Sequence, residues 1–62
     1  MSKRAQEIAN APDHVARSRL CTKAEWDGYL WWMHDRDERF KPEGGQDGIE
    51  AAKILIERNK VI

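Results

Sequence analysis

The sequence predicts an all-α fold, a small bundle of three or four short helices. Two stretches, one around Trp26 to Phe40 and one around Ile49 to Ile56, repeat apolar residues at three- and four-residue spacing. Cap-forming residues stand at the head of each stretch. Proline and glycine punctuate the gaps between them.

The first element follows Ser2, which is placed to cap a helix running to about Ala9. Ala5, Ile8 and Ala9 share one face of it, with Lys3, Arg4 and Glu7 mainly elsewhere. "NAPD" then breaks the chain, because Pro12 lacks a backbone donor and biases Ala11 away from the helical region. Proline suits a first helical position and Asp13 a first turn. A second short helix is therefore expected from Pro12 to about Arg19, with few apolar residues: Val15, Ala16 and Leu20.

"TKAE" at 22–25 has the form of a capping box, Thr22 accepting from the Glu25 amide and Glu25 reaching back. The helix it opens is predicted to run from Lys23 to about Phe40 and to form the centre of the bundle. Stepping about 100° per residue, Trp26, Tyr29, Leu30, Met33 and Phe40 gather into one apolar stripe. Trp32 falls at its flank and Trp31 opposite it. Gly28 weakens this helix by about 1 kcal/mol relative to alanine. "KPEGGQDG" at 41–48 is an internal Gly/Pro loop, with Asp47 as cap and Glu50 near the third position of a last helix reaching about Asn59. Ile49, Ala52, Leu55 and Ile56 form its apolar face, Ile54 lies off that face, and Lys53 and Glu57 pair on the other side. Val61 and Ile62 read as a docked terminus. An α+β alternative stays open, with a β-hairpin around residues 20–34 and a C-terminal helix, because Asp27-Gly28 is flanked by aromatic residues that favour strands.

All 62 residues read as one small domain. A chain of this size buries only about 60% of its unfolded surface. One cysteine, Cys21, forms no internal disulfide, so the chain relies on apolar packing or on a partner. The lone thiol fits a reduced, cytoplasmic setting. "MSKRAQEIAN" has no apolar run of the signal-peptide kind, and "YLWWM" is too short to cross a bilayer, so a soluble protein with no membrane association is expected.

The charges balance, 11 basic against 11 acidic, which argues against a general polyanion binder. His14, Cys21 and His34 lack the paired spacing of a zinc site, and no metal or other cofactor is expected. "HDRDER" reads as a solvated helix face, "GGQDG" lacks the lysine and hydroxyl of a phosphate loop, and no catalytic constellation stands out. The chain is not expected to be an enzyme.

What remains is the pair Trp31-Trp32. Either the other short helices bury Trp31, or it is an exposed anchor of the kind that dominates binding energy at interfaces. On the second reading Trp31 and Trp32 fill a partner's pocket, with Asp27, Asp35 and Arg36 as polar rim. The expected function is a small protein-binding regulator, adaptor or inhibitor docking on a larger protein, with a homodimer as a further possibility. Size and composition are those of bacteriophage or mobile-element accessory proteins. The alternative is a small DNA-associated regulatory protein using Arg4, Arg17 and Arg19, with nucleic acid the less favoured partner.

"RAQEI" with "PD", and "WDGYLWWM" with "DE", resembles H-type small acid-soluble spore proteins, which are small and β-rich. The likeness covers only part of the chain, needs an insertion and fails over the C-terminal helical segment, so it supplies neither fold nor function.

Overall fold

A computed structural model describes residues 2–60. Among them stand four α-helices and no strand, so the helical bundle holds and the hairpin does not. The helices are α1 (Lys3–Ala9), α2 (His14–Leu20), α3 (Lys23–Leu30) and α4 (Gln46–Arg58). The terminal pair Val61 and Ile62 lies outside the described residues.

The caps are the ones the local sequence dictates. Ser2 Oγ accepts from the Ala5 amide at 3.0 Å and starts α1. Thr22 and Glu25 form the reciprocal capping box of α3. In α2, Asp13 is the cap rather than a first-turn residue, accepting from the Ala16 amide at 2.8 Å. Its extended backbone, φ −152°, is the usual geometry of a cap, so α2 begins at His14 and Pro12 stands before the cap rather than at the first helical position. Asp47 does not cap α4. Gly45 stands at that position without a side-chain bond, and Asp47 lies in the first turn, where it accepts from Ser2 Oγ at 2.7 Å. One hydroxyl thus caps α1 and ties it to the head of α4. The Asp47 carboxylate sits where a helix N-terminus favours negative charge.

The predicted long helix ends early. After Leu30 the chain widens into a π turn, Trp31–Asp35, closed by the Arg36 amide donating to the Trp31 carbonyl at 2.8 Å. Arg36 takes a left-handed conformation, φ 53°, and a short 3-10 turn follows over Glu38–Phe40, capped by Asp37. The inserted π residue shifts the helical phase, and the left-handed residue turns the chain back. The stripe extrapolated through Phe40 therefore fails: Phe40 is 69% exposed, Tyr29 is buried, and Trp26, Leu30 and Met33 are half-buried.

The centre of the bundle is α4, which packs against α1, α3 and the π turn. Its buried residues are Gly48, Ile49, Ala51, Ala52 and Ile54. Ile54, placed off-face by periodicity, joins Ala51 and the α1 face Ala5, Ile8 and Ala9 in the core cluster; Leu55 and Cys21 pack at its edge. A helix with neighbours on several sides is buried around more of its girth than a single stripe. The α3–α4 crossing uses another rule. A Cβ on Gly28 would lie 2.3 Å from the Gly45 carbonyl oxygen, and one on Gly48 would lie 1.8 Å from the Glu25 carbonyl oxygen. The helices meet backbone to backbone, so Gly28, a local weakness in α3, is required by the crossing.

Two arginines join the short helices. Arg17 is buried, and its guanidinium donates to the carbonyls of Ile8, Ala9 and Ala11, at and just past the end of α1. These are groups that a helix end leaves without an intrahelical partner. Arg4 grips buried Glu25 with Nε and Nη2, both at 2.8 Å, and also donates to the Leu20 carbonyl at the end of α2. Arg4 further pairs with Glu7.

Arg4 hydrogen bonding holds the Glu25 carboxyl down to about 2, against the opposing effect of burial, with the Thr22 amide assisting. A carboxyl lowered on folding stabilises the fold fully above its unfolded value, near 4.5, and progressively less as the pH falls toward 2. Acid titration followed by circular dichroism should show a loss of stability of roughly 2 kcal/mol across that window. Glu25→Gln should remove most of this pH dependence; an unchanged acid slope in that variant would refute the assignment.

Candidate functional site

The residues singled out for binding separate in space. Trp31, 5% exposed, is buried by its own chain. Its indole N–H donates to the Asp37 carbonyl at 2.9 Å, and the Lys41 ammonium lies 5.9 Å from its ring centre. The turn at Arg36 folds the segment 37–41 back over the ring. The reading of Trp31 as an exposed anchor is therefore corrected: the ring is buried within its own chain, with the return at 37–41 against it and α4 packed on the π turn that carries it.

Trp32 remains half-buried at the surface, tilted 54° to Trp31 with ring centres 6.2 Å apart. Two cations lie over it: the Arg36 guanidinium at 4.3 Å from the ring centre and the Lys53 ammonium at 4.5 Å. Arg36 Nε also donates to the Trp32 carbonyl at 2.8 Å. Lys53 does not make the helical pair expected with Glu57, which joins Lys60 at 3.3 Å instead. A half-buried indole face attracts a nearby cation more than a fully solvated carboxylate does. The left-handed Arg36, a conformation costing an arginine about 1–2 kcal/mol, is the residue that brings its guanidinium over Trp32.

Of the predicted rim, Arg36 is in this cluster and Asp35 is an exposed neighbour in the π turn. Asp27 lies on α3, 3.8 Å from Lys23, and is occupied there. Phe40, assigned to the core by periodicity, is the most exposed large apolar side chain among the described residues, with the Arg39 guanidinium 5.5 Å from its ring centre. Arg39 also grips Asp37 at 2.8 Å. That hydrogen bonding, with the Arg39 amide, holds the Asp37 carboxyl below the usual carboxylate range. Sequence reasoning missed Phe40 and Lys53. Both depend on where the helix breaks, and the signal available was "HDRDERF", a polar run ending in an aromatic residue.

A second aromatic group joins α2 to α3. Trp26 stacks on Tyr29 with ring centres 5.0 Å apart, His14 meets Trp26 edge-on at 5.0 Å, and Arg17 lies 5.7 Å from the Tyr29 ring centre. These contacts dock α2 on α3.

The arginines of the alternative basic patch differ in setting. Arg17 is buried and Arg4 half-buried, both spending donors on backbone carbonyls or on Glu25, and Arg19 is exposed. Satisfying helix-end carbonyls and a buried carboxylate takes the very donors a phosphate would need. Cys21 is half-buried, and burial, then the Glu25 charge, pushes its thiol up, away from the reactive thiolate. Among the described residues no group of three His, Cys, Asp or Glu side chains is placed to hold a metal ion, and no helix is long and apolar enough to cross a membrane. Comparison with protein-family models, with curated proteins and with solved structures finds no match to this chain, so the exposed Phe40 and the cluster of Trp32, Arg36 and Lys53 must be read from their own chemistry.

Proposed function

We propose that this chain is a small protein-binding module without catalytic activity, acting as an adaptor, inhibitor or regulator by docking on a larger protein. The observation that carries the reading is Phe40. A phenylalanine 69% exposed, held on a capped turn beside Arg39, loses little freedom on contact and gains the burial of an aromatic ring. Trp32, half-buried with Arg36 over its ring, supplies the second aromatic element of the kind enriched at binding hot spots. Such binding acts by occlusion, covering a partner's surface and keeping other molecules from it. A phage or mobile-element origin fits the size of the chain and enters this proposal on that ground alone.

Site-specific photo-crosslinking tests the reading. A crosslinker at position 40, in cells that make the chain, should give one discrete heavier adduct that is absent with the crosslinker at Lys3, which is exposed on α1. Trp32→Ala combined with the position-40 crosslinker should reduce the adduct about tenfold or more, as for loss of a hot-spot aromatic side chain. An adduct of the mass of two copies of the chain would replace the larger partner with a homodimer. No discrete adduct, or equal adducts from both positions, would refute docking through this face.

A further inference from the structure

We infer that the patch formed by Trp32, Arg36 and Lys53 recognises an acidic segment of the partner protein, its carboxylates seated on the two cations. This deepens the docking function proposed above and rests on it.

The patch is assembled from two distant parts of the chain. Arg36 comes from the left-handed residue that closes the π turn, and Lys53 from the middle of α4. Both cations are exposed, and both lie within 4.5 Å of the centre of one half-buried indole. Neither has a carboxylate within 4.0 Å among the described residues, so the stacking on Trp32 is not reinforced by an ion pair there. Glu57, one helical turn from Lys53, is turned to Lys60. The fold therefore brings two exposed cations to one indole ring without a direct ion-pair partner among the described residues. An incoming carboxylate finds donors already positioned: the indole holds both cations in place, so little side-chain freedom is lost on binding.

Charge and stacking together separate an acidic peptide from nucleic acid. A base needs an open aromatic face on which to stack. Here the cations lie over the Trp32 ring, and the donors of Arg4 and Arg17 are engaged by Glu25 and by backbone carbonyls. What stays available is the set of guanidinium and ammonium N–H groups not used in stacking, which suits carboxylates.

The test is a titration of isotope-labelled full chain with a short oligoglutamate peptide, followed by amide and indole resonances. The Trp32 indole signal, assigned through Trp32→Phe, and the Arg36 and Lys53 amides should move together, and added salt should weaken the effect. The double variant Arg36→Gln with Lys53→Gln, which alters only exposed side chains, should keep a folded spectrum and lose the shifts at least tenfold in affinity. An oligolysine peptide should move nothing at the patch. Shifts confined to other lysines, shifts that survive in the double variant, or an absence of shifts would overturn the assignment. So would oligothymidylate moving the same signals as strongly as oligoglutamate, which would make the patch a phosphate-binding surface. The two proposals fail separately. A position-40 crosslinked adduct that forms equally in the double variant leaves docking standing and removes the acidic partner; loss of the adduct in the double variant, with retention in a Lys3→Gln control, supports both.

Discussion

Gly48→Ala should remove a large part of the protein's stability. In an isolated helix the same change would help, since alanine is favoured over glycine by about 1 kcal/mol. At this position the added Cβ would lie 1.8 Å from the Glu25 carbonyl oxygen, 2.7 Å from its carbon and 3.0 Å from the Tyr29 nitrogen. All three are backbone atoms of α3, so no rotamer change relieves the contact. The crossing must open, and with it the packing of Ile49 and Ala52 at the centre of the bundle. Overpacking typically costs about 1–3 kcal/mol and more where backbone must move. A chain of this length holds only about 3–9 kcal/mol in all. We expect a loss of about 4 kcal/mol or more by the overpacking argument, read as a collapse of the urea midpoint. Gly44→Ala gives the scale for an ordinary glycine effect: its φ is +74° but the nearest atom to a Cβ is Ala24 Cβ at 3.8 Å, so it should cost only about 1–2 kcal/mol. Equal midpoints for the Gly48 and Gly44 variants would contradict the backbone-to-backbone crossing.

Trp31→Ala should be the second severe change, and its effect should fall on stability before it falls on binding. The ring is 5% exposed, and its N–H is satisfied by the Asp37 carbonyl. Truncating a buried tryptophan costs about 3–5 kcal/mol from lost burial and the cavity left behind. The Asp37 carbonyl loses its donor as well, and the segment 37–41 loses the ring it folds over. Trp32→Ala, at a half-buried position, should cost about 1–2 kcal/mol, mainly lost area and two cation contacts. Thermal unfolding of the two variants distinguishes them. Native-state tryptophan emission gives a second reading, since Trp31→Ala should remove the most blue-shifted, least quenchable component. A Trp31 variant as stable as the wild type would show that the ring is not buried, and would restore it as a binding anchor. Any loss of binding measured with this variant is to be compared with its unfolded fraction before it is assigned to the interface.

The contrast between the tryptophans shows how far periodicity reaches. The positions of Trp31 opposite a stripe and Trp32 at its flank follow from about 100° per residue in a regular helix. The π turn breaks that count within the same residues, and everything after it, including Phe40, leaves its extrapolated face. The sequence pattern thus exchanged two aromatic residues between core and surface: Trp31 belongs inside, and Phe40 outside. Arg36 was legible as a surface residue near Trp32, but its partner Lys53 was not. The local pairing rule assigned Lys53 to Glu57, and only the docking of α4 beside the π turn offers it an indole instead.

The helical class, the Ser2 cap, the Thr22–Glu25 capping box, the break at Pro12 and the buried face Ala5, Ile8 and Ala9 were all legible in the order of residues. Each depends on atoms within about four residues of one another, where spacing alone sets geometry. Tertiary structure decided the rest. Arg4 reaches Glu25 across 21 positions, and Arg17 reaches back to the end of α1. The glycines of α3 and α4 allow the two backbones to touch, and the Arg36 turn chooses which aromatic ring is covered. The physical reason is shared: a cap is satisfied by its own helix, whereas a guanidinium, a bare backbone or an indole face is satisfied by whatever the fold brings to it.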